Sequence, residues 1–376
     1  MRRTSTDDLG FWEPALSYFL EILRPQRHQK PKTRISSPDW DKIVLFCREG
    51  HVADRVLGSL SSLDDVPSTA RRALLAQALL AEERSARAYE QLADLCGAFE
   101  HAGIRLVSLK GADLLIQNTG IGRLPARWMA DLDLLVHPDH LESGERVLRA
   151  QGYSSEGDRA YLLRFHHHLM YSHPDTRKLD IDLHWTPHLR THTHFNSIEV
   201  FERLEQKDWN GSTVWAMCRE DQLLAHLLHL ASHHFRVPFK NILDIFDLAD
   251  NPNLDEALLL SIVHSTQTTC AVYLCLLFLE MFYPLPPFLE TIRAELALSA
   301  HHRKNVLRRI RPYSFTAPQT PDHLFIRVML DFALRSSTFQ GIGVLIYKAC
   351  KRIEEQTGLP FDPARGMSSY SKVRGH

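Results

Sequence analysis

The chain lacks the features that mark several whole classes of protein. Its six cysteines, Cys47, Cys96, Cys218, Cys270, Cys275 and Cys350, form no CxxC pair. The pattern offers neither a zinc ribbon nor a dithiol motif and reads as scattered thiols in a reducing compartment. No charge of one sign dominates, since 44 Lys plus Arg stand against 45 Asp plus Glu. A long nucleic acid is therefore a poor candidate partner, because it is met by a basic surplus or stripe. Long apolar runs are missing as well. The most apolar window, Ala271 to Leu279, is interrupted by Glu280 and ended by Pro284. It falls well short of the roughly 20 residues that span a bilayer, so no membrane partner is expected. The start, MRRTSTDDLG, has two arginines with no apolar segment behind them, so a cytoplasmic place is expected. There is no HExxH, and Gly341-Ile342-Gly343 lacks the third glycine and the preceding strand of a dinucleotide fingerprint.

What is present is enough apolar material for a core: 44% of 376 residues are hydrophobic, sufficient for one large domain or two ordinary ones. Residues 1–37 read as a flexible tail. FWEPALSYFLEIL could form a short amphipathic helix there, and RPQRHQKPKTRISSP is polar and proline-bearing. Residues 38–103 read as helical, with one long helix before Gly103. Strand signals then appear at 104–109, 131–136, 168–172 and 178–185, the last two joined by a turn at Pro174-Asp175. Residues 196–376 return to helical patterning, as in EDQLLAHLLHLASHHF and TCAVYLCLLFLEMF. The expectation is an α+β protein: a small mixed sheet of about four strands in a core over 104–195, flanked by helical regions on both sides.

The chemistry concentrates in that core. In Asp131-Leu132-Asp133 side chains alternate faces, so two carboxylates point one way while Leu132 points into the core. Carboxylates about 7 Å apart on a strand repel each other. A chain tolerates that at a solvated edge, the common case for an isolated DxD, or around a hard cation such as Mg²⁺ or Mn²⁺. Lys178 to Trp185 alternates in the same way, putting Asp180, Asp182 and His184 on one face. Asp180 or Asp182 could then complete a three-carboxylate site able to hold two metal ions on a triphosphate. The strand–Lys110-Gly111–helix turn offers backbone N–H groups and an ammonium to a phosphate. His184 could orient a carboxylate or touch substrate.

Histidine is abundant, with 22 in the chain. His166-His167-His168 invites a zinc reading, but strand alternation would let at most His166 and His168 share a face. His226, His229, His233 and His234 fall at helical spacing and are expected to line a cleft between helices and sheet. Arg236, Lys240 and Asp244 lie on the same segment, where the bland alternative is a surface helix. The cationic stretch at 303–311 reads as a solvated face.

Taken in order, Leu109-Lys110-Gly111-Ala112, then Arg127-Trp128-Met129-Ala130-Asp131-Leu132-Asp133-Leu134-Leu135-Val136, then Gly152-Tyr153, then Ile181-Asp182-Leu183-His184-Trp185 resembles an uncharacterised bacterial nucleotidyltransferase family of the DNA polymerase β-like superfamily. Glu220-Asp221-Gln222 and Asp244-Ile245 also fit, and the likeness covers about residues 40 to 250. The resemblance implies that Asp131 and Asp133 hold the catalytic metals and that Asp182 is the third carboxylate. It implies that Lys110 and Gly111 cradle the β- and γ-phosphates, and that Arg127 neutralises the triphosphate or braces the DxD strand. It further implies Mg²⁺ or Mn²⁺, an NTP with ATP the expected one, and an acceptor that is a small molecule, peptide or protein. Two departures stand out. Gly111-Ala112 replaces the superfamily's Gly-Ser pair, and 20 residues separate Gly111 from Asp131, more than in compact members. The alternatives left open are an inactive transferase fold used for nucleotide sensing or interaction, and metal-assisted hydrolysis at the histidine-rich helix.

Overall fold

A computed structural model describes residues 14–23, 39–60, 66–117, 127–155, 157–188, 193–209, 212–296 and 351. The cationic stretch at 303–311, Gly341-Ile342-Gly343 and the rest of residues 297–376 apart from 351 lie outside the described residues.

The helices in chain order are α1 (Pro14–Ile22), α2 (Trp40–Gly50), α3 (Ala53–Ser59), α4 (Ser68–His101), α5 (Lys110–Gln117), α6 (Leu141–Ala150), α7 (Arg159–Phe165), α8 (Ser197–Glu202), α9 (Arg219–Ser232), α10 (Phe239–Ala249), α11 (Glu256–Ser265), α12 (Thr269–Leu279) and α13 (Pro287–Glu295). The strands are β1 (Val107–Ser108), β2 (Asp131–Leu135), β3 (Ser154–Ser155), β4 (His168–Ser172), β5 (Asp180–His184), β6 (Glu205–Trp209) and β7 (Ser212–Ala216). They form one mixed sheet of seven strands in the order β3-β4-β5-β2-β1-β7-β6.

The fold class expected from sequence is present, with a larger sheet. Strands β3, β6 and β7 are the additions. The hairpin β6–β7 joins the sheet through β7, which runs parallel to β1 with Val107 beside Trp215. Its strands carry the polar residues Glu205, Gln206, Lys207 and Asp208 toward solvent, so they lack the apolar signal of a central strand. Strand β1 is only two residues long, because the chain turns at Lys110, whose φ is +49°.

Two apolar clusters organise the molecule. One lies under the sheet, where Leu132, Leu134, Ile181 and Leu183 are fully buried against Leu92, Leu95 and Phe99 of α4. The other is helical, centred on α9, α10 and α12. Every residue of α12 from Cys270 to Leu279 is buried, so its uniform apolarity marks a core helix. Among the described residues, no helix is long and apolar enough to cross a membrane. Within the 1–37 segment, α1 packs on this second cluster. Phe19 meets Phe239 at 5.6 Å between ring centres, and the Tyr283 hydroxyl donates to Leu20 O at 2.9 Å.

Helix α4 is 34 residues long, about 50 Å at 1.5 Å per residue. Gly103, at φ +69°, ends it by donating to Glu100 O, while Ile104 reaches back to Phe99 O at 2.9 Å. Its length lets one rigid element hold the approach to both acidic strands. Ser85 Oγ donates to Arg127 O and accepts from Arg127 N, each at 2.8 Å. Arg84 Nε donates to Met129 O at 2.6 Å. Six residues on from Ser85, Gln91 bonds both backbone groups of Leu179, accepting from N and donating to O at 2.8 Å each. Ser85 and Gln91 are both buried, which is tolerable because the partners are complete.

Candidate active site

Strands β2 and β5 run side by side and parallel, with Asp131 opposite Asp180 and Asp133 opposite Asp182. Equal register with period two puts all four carboxylates on one face of the sheet. Leu132 and Ile181, on the other face, are fully buried. The separation along the strand decides which acids converge. Donor atoms of Asp133, Asp182 and His184 all lie within 4.8 Å of one another. Asp180 is exposed at the outer end, beside Asp131.

Asp133 sits at the centre. Lys110 Nζ donates to its Oδ1 at 2.5 Å, and His184 Nε2 lies 3.0 Å from the same oxygen. Burial opposes its charge, but Lys110 and then His184 hold its carboxyl well below the usual carboxylate range. Lys110 is held in return. Burial works against its ammonium, yet Asp133, followed by Asp131 and Asp182, keeps it above the ordinary lysine range. Asp131 is pushed up by burial and by Asp133. Among the described residues, Asp182 has no hydrogen-bonded lysine or arginine of its own. Burial, then Asp133, then Asp131 push it up to about 7. Three carboxylates with one ammonium among them leave an uncompensated negative charge, which a divalent cation would relieve. The donor set, two carboxylates and an imidazole within 4.8 Å, fits such an ion.

Gly111 and Arg127 pack closely beside this cluster. A Cβ built on Gly111 would lie 3.2 Å from Arg127 Nε and 3.3 Å from Met129 Cγ and Sδ. Glycine is thus needed for close approach rather than for an unusual φ. Arg127 pairs through Nη1 with Asp244 Oδ1, while its Nε is buried and has no hydrogen-bond partner. Asp244 Oδ2 is likewise buried and unpartnered. A buried guanidinium nitrogen rarely stays unsatisfied unless water or a ligand serves it.

The structure therefore gathers Asp133, Asp182, Lys110 and His184, leaves Asp131 two residues outward on β2 and outside the converging donors, and sets Gly111 and Arg127 close by. Helix α9 lies over the same centre. Burial lowers the pKa of His226, His229 and His233, with Lys110 as a further cause for each and His226 reaching about 4. Among the described residues, these helical histidines are not one of the converging groups of three metal donors. Lys240 donates to Trp128 O, which braces the segment leading into β2; burial and then Arg127 lower it to about 8. The Glu220-Asp221-Gln222 segment after Cys218 is structural. Asp221 takes a two-pronged bond from Arg203 at 2.9 Å, Glu220 accepts from Asp255 N, and Gln222 donates to Met217 O.

Alternation did not anticipate the His166-His167-His168 segment correctly. Strand β4 begins only at His168, so His167 escapes the two-face rule. His168 Nε2 stands 3.6 Å from Asp182 Oδ2, and His167, His168 and His184 bring a ring nitrogen each within 4.8 Å of the others.

A parallel acidic strand pair with a lysine in its midst is a donor set able to hold a divalent cation. A family model described as "Uncharacterised nucleotidyltransferase" matches residues 36–284, about two thirds of the chain. The chain belongs to this family of uncharacterised nucleotidyltransferases. No curated protein matches it. Among solved structures, the antibiotic-resistance factor ANT(2'')-Ia matches at 12% identity and TM-score 0.30, covering 61% of this chain and 99% of that one. An antigenic nucleotidyltransferase-like protein from Paracoccidioides brasiliensis matches at 15% identity and TM-score 0.32, covering 48% of this chain and 89% of that one. Likenesses of that size add nothing about this chain's own substrate.

Proposed function

We propose that the chain moves a nucleoside monophosphate from an NTP, ATP being the expected donor, to an acceptor other than a long nucleic acid, with Mg²⁺ or Mn²⁺ held by Asp131, Asp133 and Asp182. The observation that carries this reading is the register of β2 and β5, which sets Asp133 beside Asp182 with Lys110 bonded into the cluster. When bound, the cation neutralises the carboxylates and draws charge from the transferring phosphoryl group.

The chain's own groups divide the remaining work. His184, fully buried, fixes Asp133 through Nε2. The unpartnered Arg127 Nε, packed against Gly111, receives a phosphate oxygen, with Lys110 close by. An acceptor hydroxyl, or another nucleophile, attacks the α-phosphorus, the bond to the bridging oxygen breaks, and pyrophosphate leaves. Asp182, opposite Asp133 in the paired strand, takes the acceptor's proton. The near-neutral charge supports a small molecule, peptide or protein as acceptor. The thiols of Cys47, Cys96, Cys218, Cys270 and Cys275 support a reducing, cytoplasmic setting.

Isothermal titration of the four NTPs, with and without Mg²⁺, tests this reading. One NTP should bind only with the metal, and Asp131→Asn/Asp133→Asn should abolish it. Metal-dependent binding with no transfer to any acceptor class would point instead to a nucleotide-binding module, and metal-independent or absent binding would overturn the proposal.

A further inference from the structure

We propose a second metal site, selective for a nitrogen-preferring first-row ion of the Zn²⁺ class, formed by His167, His168 and His184. The ring nitrogens of these three residues lie within 4.8 Å of one another. Their ring centres are 4.8, 5.0 and 5.1 Å apart. A tetrahedral ion with Zn–N near 2.0–2.1 Å needs its nitrogens about 3.4 Å apart, so each ring must close in by roughly 1 Å or less.

The sheet builds this convergence. Strands β4 and β5 pair antiparallel with His168 directly opposite His184, so the two rings share a face. His167 precedes the strand, and its carbonyl accepts from Trp185 N at 3.2 Å. That extra rung fixes the His167 backbone beside the pair while freeing its ring from strand alternation. One buried nitrogen here, His168 Nδ1, has no hydrogen-bond partner. Buried polar atoms of this kind are uncommon and call for a ligand or water. His184 is only 1% exposed.

The donor chemistry separates the two sites. Carboxylates suit Mg²⁺ and Mn²⁺, whereas three imidazoles suit Zn²⁺, Co²⁺ or Ni²⁺. His184 belongs to both groups, because its Nε2 also bonds Asp133. An ion on the three histidines therefore draws on the residue that steadies Asp133, and occupancy of the two sites is coupled. The existence of the histidine site does not rest on the nucleotidyl-transfer reading; the coupling does.

The test uses the full chain freed of metal, with Co²⁺ as a spectroscopic probe, Zn²⁺ titrated calorimetrically, and zinc K-edge absorption on the zinc-loaded wild type. One ion per chain should bind, with imidazole scattering from three rings at the edge. His167→Gln should weaken Zn²⁺ and Co²⁺ at least about tenfold while leaving Mg²⁺-dependent NTP binding in place. Asp131→Asn should do the reverse. An oxygen-only zinc environment, an affinity unchanged in His167→Gln, or equal loss in Asp131→Asn would overturn the site. The absorption measurement on wild type decides the matter even if His167→Gln fails to fold. Loss of NTP binding in wild type with zinc binding intact would sink the transferase reading and leave the histidine site standing.

Discussion

Replacing Asp182 by asparagine should stabilise the metal-free protein, and should do so only above mildly acidic pH. Asp182 is held at about 7 in the folded chain against an ordinary 3.8, first by burial and then by Asp133 and Asp131. A carboxyl raised on folding ionises first in the unfolded chain. The folded state therefore loses stability as pH climbs from about 4 to about 7, and the loss stays constant above that. At about 1.4 kcal/mol per tenfold change in acidity, the ceiling is ~4 kcal/mol. Solvent reaches 18% of the side chain, and Asp131 shares the same repulsion, so about 2 kcal/mol is the expected gain for Asp182→Asn at pH 8. At pH 4 the gain should vanish. Urea unfolding of both proteins in chelator, at pH 4, 6 and 8, reads this directly. Adding a divalent ion at a hundred times its Kd should stabilise the wild type by about 2.7 kcal/mol and close the gap. A variant less stable than wild type at pH 8 without metal, by an amount that does not change with pH, would refute the reasoning.

Asp133→Asn should lower transfer by at least about 10²-fold and leave the fold intact, as followed by pyrophosphate release and circular dichroism. Gln91→Leu, which strips the two bonds to Leu179, should cost about 3 kcal/mol in urea unfolding and weaken NTP binding, because β5 loses its anchor. Arg127→Met or Asp244→Leu alone should each cost about 3–5 kcal/mol by leaving a buried charge unpaired, while the double variant should cost less than the sum in a double-mutant cycle.

Much of the candidate site was legible because strand alternation is rigid. Asp131-Leu132-Asp133 and Asp180-Ile181-Asp182 each declared their shared faces, and β2 and β5 indeed bury Leu132 and Ile181. Alternation within a strand does not, however, give the register between strands. That leaves Asp180 open beside Asp182, which the resemblance favours; the pairing sets Asp182 beside Asp133. The histidine convergence was hidden for a related reason: His167 was read as part of a strand that begins one residue later. A signal did exist, since the Pro174-Asp175 turn joining β4 to β5 constrains which residues face each other, and the pairing matches His168 with His184. Ser85 and Gln91 were out of reach. Each is a polar residue on an otherwise amphipathic helix, and nothing local distinguishes a buried clamp from a solvated position. The β6–β7 hairpin was missed because its exposed residues carry no apolar rhythm.

The most direct test of the metal-carboxylate centre is electron paramagnetic resonance of Mn²⁺ titrated into the protein with a non-hydrolysable NTP analogue. Wild type should take up the ion and quench the free Mn²⁺ signal in step with the analogue. The single variants Asp131→Asn, Asp133→Asn and Asp182→Asn should each leave the signal free at the same concentrations. Uptake that persists unchanged in all three variants would contradict the account.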